Sequence, residues 1–266
     1  MKNFIKYFCL SFLLFTSSIS VQAADSLGDP FDGNELQNPN WLWSNEPEKW
    51  DISKTKDGWL TIEGEHNRDL IEGEHNRDLW GADNPNRLYQ IHSGDFHVEA
   101  SMICEYADIS TVQGIVALSP TTKDNKGREG DWVTLKLWGR GQDNGNNAVL
   151  QYQARERDGE PGLAGQVASY VPVKQGIIPI YMRMQRTKNK FKSWYKIREN
   201  NKWKMVGVYE SDLKDPLEVG IYAGIGRAAG GTLTSHFEYF KDVDNPFTVE
   251  SKDKLTAIWG KIKTVE

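Results

Sequence analysis

Three stretches of this chain carry residues whose types and spacing suit recognition of a polar molecule with a flat apolar side. In Asp131 to Arg140, Val133, Leu135 and Leu137 point one way, while Trp132, Thr134, Lys136, Trp138 and Arg140 point the other. In Val149 to Arg157, Gln151, Gln153, Arg155 and Arg157 oppose Leu150, Tyr152 and Ala154. In Ile180 to Val206, Ile180, Met182 and Met184 alternate with Tyr181, Arg183 and Gln185; after the polar break Thr187-Lys188-Asn189-Lys190, Phe191, Ser193 and Tyr195 alternate with Lys192, Trp194 and Lys196. Indole rings stack on flat apolar surfaces, and amide and guanidinium groups bond hydroxyls or carboxylates. If these outward sets share one sheet face, it carries Lys136, Trp138, Gln151, Gln153, Arg155, Arg183, Gln185 and Trp194. The opposing reading makes Trp138 and Trp194 core residues and lets the cations solvate an exposed sheet.

A second concentration of reactive groups has a different origin. Ile62 to Leu70, IEGEHNRDL, recurs unchanged as Ile71 to Leu79, a perfect tandem duplication of nine residues. Glu63, Glu65, His66, Glu72, Glu74 and His75 could form a metal or acid/base cluster. Against this, nine is odd, so one continuous strand through both copies would turn its apolar set to the wrong face halfway along. One copy is expected to loop out, as a slippage insertion at little cost in stability. The mature histidines, His66, His75, His92, His97 and His236, have no motif-bearing partner for a nucleophilic triad.

These residues are positioned by a chain of 266 residues that opens with Met1-Lys2-Asn3-Phe4-Ile5-Lys6, runs through an apolar segment to about Phe15, and reaches Val21-Gln22-Ala23. This pattern is that of a secretory signal peptide over 1–23, too short to serve as a transmembrane span. The mature protein is expected to be exported, to periplasm or exterior, with no transmembrane segment. Loss of Lys2 and Lys6 takes its formal charge from −5 to −7, which argues against a nucleic-acid binder. Cys104 is then the single cysteine, read as a buried thiol.

The rest of the chain reads as strand after short strand. Trp41, Trp43 and Trp50 fall among the breakers Pro39 and Pro47; Leu60 and Ile62 begin a strand after the turn Lys56-Asp57-Gly58; Phe96, Val98 and Ala100 oppose His97 and Glu99; Gly114 to Leu118 is an apolar run; Leu217 to Ile225 and His236 to Lys241 close the series. Alternation of period two with regular turns predicts an all-β, antiparallel two-sheet sandwich over 24–245. The tail, 246–266, differs: Leu255, Ile258, Trp259 and Ile262 are spaced as on a helix, so Ser251 to Lys263 is expected to form a short amphipathic helix. Two readings are open for it: a helix packed on the sandwich or fraying at the chain end, or a role in docking a membrane or a protein partner.

The order Phe31-Asp32-Gly33, Trp50, Gly58-Trp59-Leu60-Thr61-Ile62, Asp78-Leu79-Trp80 and Gly94-Asp95-Phe96-His97-Val98-Glu99-Ala100 resembles the first half of a concanavalin A-like lectin/glucanase domain. Arg183, Arg186, Phe191, Trp194-Tyr195, Trp203, Val219 to Gly224 and Phe237-Glu238-Tyr239-Phe240 resemble the closing strands of the bacterial group that includes the domain appended to some β-xylosidases. The resemblance covers about Asp29 to Lys241. It implies a jelly-roll sandwich and recognition of a polysaccharide or glycan, an acidic one fitting the cations, with or without hydrolysis. It also implies a structural calcium ion, for which Asp29 and Asp32 are the nearest oxygen ligands.

The enzymes of this superfamily carry an E-x-D-x-x-E strand that sets two carboxylates at the separation retaining chemistry needs, and this chain has no such match. Gln90-Ile91-His92 and Arg155-Glu156-Arg157 resemble two motifs of jelly-roll polysaccharide lyases, in the opposite chain order from the alginate lyases. Phe31-Asp32-Gly33 and Leu79-Trp80 resemble secreted sandwich domains that act on keto-disaccharides. The sequence therefore points to a lectin-like binding protein, with a glycoside hydrolase or polysaccharide lyase as the alternative and a structural or partner-binding surface protein as the second.

Overall fold

The computed structural model describes residues 27–66, 79, 86–105, 111–121, 130–140, 147–155, 162–172, 178–225 and 231–247. The signal-peptide segment and the expected helix from Ser251 to Lys263 lie outside them. In chain order the strands are β1 (Gly28–Asp29), β2 (Leu42–Ser44), β3 (Lys49–Ile52), β4 (Leu60–His66), β5 (Asn86–His92), β6 (Phe96–Cys104), β7 (Thr111–Leu118), β8 (Trp132–Gly139), β9 (Asn147–Arg155), β10 (Gly162–Pro172), β11 (Ile178–Thr187), β12 (Lys190–Lys196), β13 (Lys204–Glu210), β14 (Leu217–Ile225) and β15 (Gly231–Asp242). They form two antiparallel sheets. Sheet I has the order β13-β12-β11-β6-β15-β4-β3, with β1 added to β15; sheet II has the order β10-β9-β8-β7-β14-β5-β2. The expected all-β, two-sheet sandwich is the fold.

The core lies between the sheets and follows from the alternation. Ile180, Met182 and Met184 on β11, Val98, Ala100 and Met102 on β6, and Phe237 and Phe240 on β15 enter it from sheet I. Ile115, Ala117, Val133, Leu135, Leu137, Leu150, Val219 and Ile221 enter it from sheet II. Gln113 also points inward, and its Oε1 accepts a hydrogen bond from the Ser235 hydroxyl of the opposite sheet.

The central strands of sheet II are buried on both faces. Every residue of β7 and β14 is buried, which explains why Gly114 to Leu118 reads as an apolar run rather than an alternation. A separate cluster of Leu79, Val112, Val116, Leu118, Trp132 and Tyr222 occupies the outer face, with Trp138 packed against it. The duplication is pinned at its two ends: Ile62 of the first copy is a core residue of β4, and Leu79, the last residue of the second, joins this outer cluster. Residues 67–78 are outside the described set.

Both sides of the sandwich are drawn together. β2 and β3 are successive in the chain and edge the two sheets on one side. On the other, β10 and β13 approach so closely that a Cβ on Gly165 would lie 2.2 Å from the Val206 carbonyl oxygen, and one on Gly207 would lie 2.3 Å from that of Ala164. Glycine at both positions lets the backbones meet and covers the edges of both sheets.

Candidate functional site

The register of sheet II arranges its outer face in rows that cross the strands. One row runs Gln166, Gln151, Lys136, Gly114, Tyr222, Arg87 and Ser44, from β10 to β2. The next contains Leu163, Gln153, Thr134, Val116, Gly220, Tyr89 and Leu42, and a third Arg155, Trp132, Leu118, Glu218 and Ile91. Trp138 stands beside Val149 and Val112 in a fourth. Period-two alternation placed the apolar partners of these residues in the core, so the polar and aromatic set had to face outward.

The middle of that face is nevertheless buried, while Leu42, Ile91 and Leu163 at its margins are exposed. Lys136 is 3 % exposed and Arg155 4 %, and Gln151, Gln153, Thr134, Arg87 and Glu218 are buried as well. Buried polar groups need partners, and many are within the face. Gln151 Nε2 donates to Gln166 Oε1 at 3.2 Å. Arg87 Nη2 donates to Glu218 Oε2 at 2.9 Å and to the Ser44 hydroxyl at 3.1 Å. Thr134 Oγ1 donates to the Ile115 carbonyl at 2.8 Å and lies 3.1 Å from the Tyr222 hydroxyl. Arg155 Nη2 donates to the Gly130 carbonyl at 2.8 Å. The Arg155 guanidinium also sits over the Trp132 ring, and that of Arg140 over Trp138, 4.5 Å from its centroid.

The buried side-chain atoms of the face without a hydrogen-bond partner among the described residues include the Trp132 Nε1–H donor and the Gln153 Oε1 acceptor. Arg155 is opposite Trp132 and Thr134 opposite Gln153, so Trp132 and Gln153 are diagonal neighbours on adjacent strands. A hydroxyl group can accept from the one and donate to the other. Trp132 was visible in the sequence as a member of the outward set, yet nothing there distinguished it from an ordinary core indole.

The eight residues expected to share a face do not. Lys136, Trp138, Gln151, Gln153 and Arg155 come together on sheet II, whereas Arg183, Gln185 and Trp194 belong to β11 and β12 of sheet I. The physical reason is the chain path: β10 is the edge strand of sheet II, and the chain then crosses to β11 in sheet I, so successive hairpins with similar patterns face opposite sides of the sandwich. On the outer face of sheet I, Arg183 Nε donates to Glu99 Oε2 at 3.1 Å, Tyr239 donates to Glu99 Oε1 at 2.6 Å, and Lys241 Nζ stands 3.2 Å from the same oxygen. Burial pushes the Glu99 carboxyl up, but these donors and cations hold it below the usual range.

Asp29 and Asp32, expected as calcium ligands, are both engaged by amide groups. Asp29 is buried, and its carboxylate accepts from the backbone N–H groups of Phe31 at 2.9 Å, Gln37 at 2.6 Å and Asn38 at 2.9 Å, clamping the loop that follows β1. Three N–H donors at two oxygens occupy most of the lone pairs a calcium ion would use. Asp32 is exposed and takes the Gln37 side-chain amide instead. Among the described residues no group of three or more His, Cys, Asp or Glu could hold a metal, and no helix is long and apolar enough to cross a membrane. Glu63 lies in β4, but Glu72, Glu74 and His75 of the duplication, like Glu156, are outside the described residues.

The fold thus belongs with the antiparallel β-sandwiches found in glycoside hydrolase structures. Among these, the GH43 protein BlXynB of Bacillus licheniformis is similar over 85 % of this chain and 40 % of its own, with a TM-score of 0.63 at 16 % identity. A GlcNAcα1-4Gal-releasing endo-β-galactosidase of Clostridium perfringens matches over 85 % of this chain and 66 % of its own, at 0.54 and 11 %. A functionally unknown protein of Saccharomyces cerevisiae matches over 76 % of this chain and 96 % of its own, at 0.50 and 15 %. The chain spans about two fifths of the length of the Bacillus licheniformis protein, and at these identities the likeness is one of fold. No protein-family model and no curated protein matches the sequence.

Proposed function

We propose that this chain is an exported, concanavalin A-like carbohydrate-binding protein whose ligand lies on the outer face of sheet II. One observation carries the reading: Gln151, Gln153, Lys136, Arg155 and Trp132 are buried on a sheet face that opens at Trp138, Leu42, Ile91 and Leu163, with an unpaired indole donor and amide acceptor as diagonal neighbours. A purely structural face would be filled with apolar side chains, because unmet buried polar atoms cost about 1–3 kcal/mol each. A sugar offers hydroxyls to the polar atoms and an apolar C–H face to an indole. The occurrence of the same fold inside carbohydrate-active enzymes supports the ligand class.

A second reading, hydrolysis, has one observation in its favour. Glu218 puts a carboxylate on this face, although Arg87 holds it at 2.9 Å. A glycan array, with reducing-end and unsaturated-uronate assays on the same preparation, tests both. Binding without turnover, weakened at least tenfold by Trp138→Ala or by Gln153→Ala, is the expected result. Turnover lost in Glu218→Gln would establish the enzyme, and wild-type binding in both of the first variants would remove the site from this face.

A further inference from the structure

Sheet I carries a second pattern of polar and aromatic side chains, on the opposite side of the sandwich. Register across β6, β11, β12 and β13 sets Glu99, Arg183, Trp194 and Met205 in one row and His97, Gln185, Lys192 and Val208 in the next. At the Glu99 end the row is closed by the Arg183 and Tyr239 bonds already described. At the other end it is open: Met205 is 53 % and Val208 44 % exposed, and Trp194, Lys192 and Gln185 are half-buried.

Trp194 has an aromatic neighbour on the same face. The His97 ring lies 6.2 Å from its centroid at an interplanar angle of 50°. His97 is in turn tied through Nδ1 to Asp244, 3.4 Å away, in the segment that follows β15. Beyond Arg183, whose guanidinium sits 4.1 Å over the Trp203 ring, a second indole continues the surface, with Lys196 4.9 Å from it and 4.7 Å from the Tyr181 ring. A half-buried indole with an amide diagonally across on the neighbouring strand and an ammonium group two residues along its own provides an apolar stacking area flanked by donors.

We infer that the outer face of sheet I is a second carbohydrate site, with Trp194 as its stacking platform and Gln185 and Lys192 as its hydrogen-bonding rim. Its ligand is a polysaccharide chain laid across β11 to β13. The two sheets face opposite directions, so one molecule with sites on both holds two chains, or two segments of one chain, and gains avidity from the pair. A protein partner would favour a larger apolar patch than Met205, Val208 and half of an indole present.

Affinity electrophoresis of the full chain through gels containing soluble xylan or polygalacturonate tests this, using Trp138→Ala, Trp194→Ala and the double variant. Each single variant is expected to lose at least fivefold in retardation and the double variant all of it, while Trp194→Tyr, which keeps a ring, recovers most of the loss. Wild-type retardation of Trp194→Ala, with Trp138→Ala unretarded, would leave one site on sheet II and overturn the inference. The reverse pattern would sustain it while removing the sheet II reading. Absence of wild-type retardation in both gels would overturn it. Should Trp194→Ala fail to fold by circular dichroism, the half-buried pair Gln185→Ala, Lys192→Ala replaces it under the same criteria.

Discussion

Arg155 holds its guanidinium 5.6 Å from the centroid of the Trp132 ring, directly across the β8–β9 ladder, and anchors it by a hydrogen bond to the Gly130 carbonyl at 2.8 Å. The pair fixes one end of the polar face of sheet II by a charge–aromatic contact inside the protein, where both groups are shielded from water.

Trp132→Ala empties a fully buried site and should lower the stability by about 3–5 kcal/mol, read as a fall in the urea midpoint. Arg155→Ala should cost about 2 kcal/mol, and Arg155→Lys less, since the ammonium keeps the charge but not the planar fit. Equal stability of all three variants with wild type would show that the pair does not support the face.

The two glycines that let β10 and β13 meet are the next test. Gly165→Ala and Gly207→Ala each drive a methyl group into a carbonyl oxygen of the facing strand, and backbone cannot yield as a side chain can. Each is expected to destabilise by about 1–3 kcal/mol or more, whereas Gly94→Ala adds a Cβ with nothing within 4 Å. The latter pays instead for its positive φ of 90°, about 1 kcal/mol. A midpoint for Gly165→Ala above that of Gly94→Ala would contradict the close approach.

Acid should unfold this protein through a small set of carboxylates. Glu99 is depressed by Tyr239, Arg183 and Lys241 against the upward push of burial. Asp215 is depressed, again against burial, by its bond to Arg186 and by the Gly94 amide. A folded-state pKa below the unfolded one means that the unfolded chain binds more protons, so stability rises with pH through that window. The contribution is complete above the unfolded value of about 4 and disappears as pH falls through the folded one. The melting temperature should therefore be flat with respect to these groups above about pH 5 and drop below about pH 4. Glu99→Gln should shallow that drop while costing about 3 kcal/mol at neutral pH by stranding two cations; an unchanged acid limb would exclude Glu99 as a source.

Deleting either copy of IEGEHNRDL gives the same chain, because the copies are identical. The shortened protein still has an Ile at the start of the segment for the core of β4 and a Leu at its end for the outer cluster of sheet II. Its stability should lie within about 1 kcal/mol of the parent's, as expected if the nine residues are an inserted connection whose length changes closure entropy only logarithmically. Failure to fold would show that the nine residues are structural.

How much of this was legible beforehand depends on the range of the interaction. Strand positions, the inward set Ile180, Met182 and Met184, and the outward set Lys136, Gln151, Gln153 and Arg155 all follow from period-two alternation, a local property. The anchoring of the duplication by its outer ends was legible too, from its flanks. The double burial of the middle of sheet II was hidden, because the outward faces of β8 and β9 carry the polar residues that an exposed strand would also carry. The loop clamp made by Asp29 was hidden as well: an aspartate beside Phe31 and Gly33 looks like a metal ligand until the amides of Gln37 and Asn38 are seen to fill its oxygens.

By itself the sequence determined that the chain is a β-sandwich and which side chains of each strand face away from its partners, since alternation, turns and backbone geometry act over a few residues. Which outward sets share a surface was decided only by tertiary structure. Trp138 and Trp194 carry the same local signal and end on opposite sides of the molecule, because strand order across two sheets is set by the burial of the whole core and not by any segment of it.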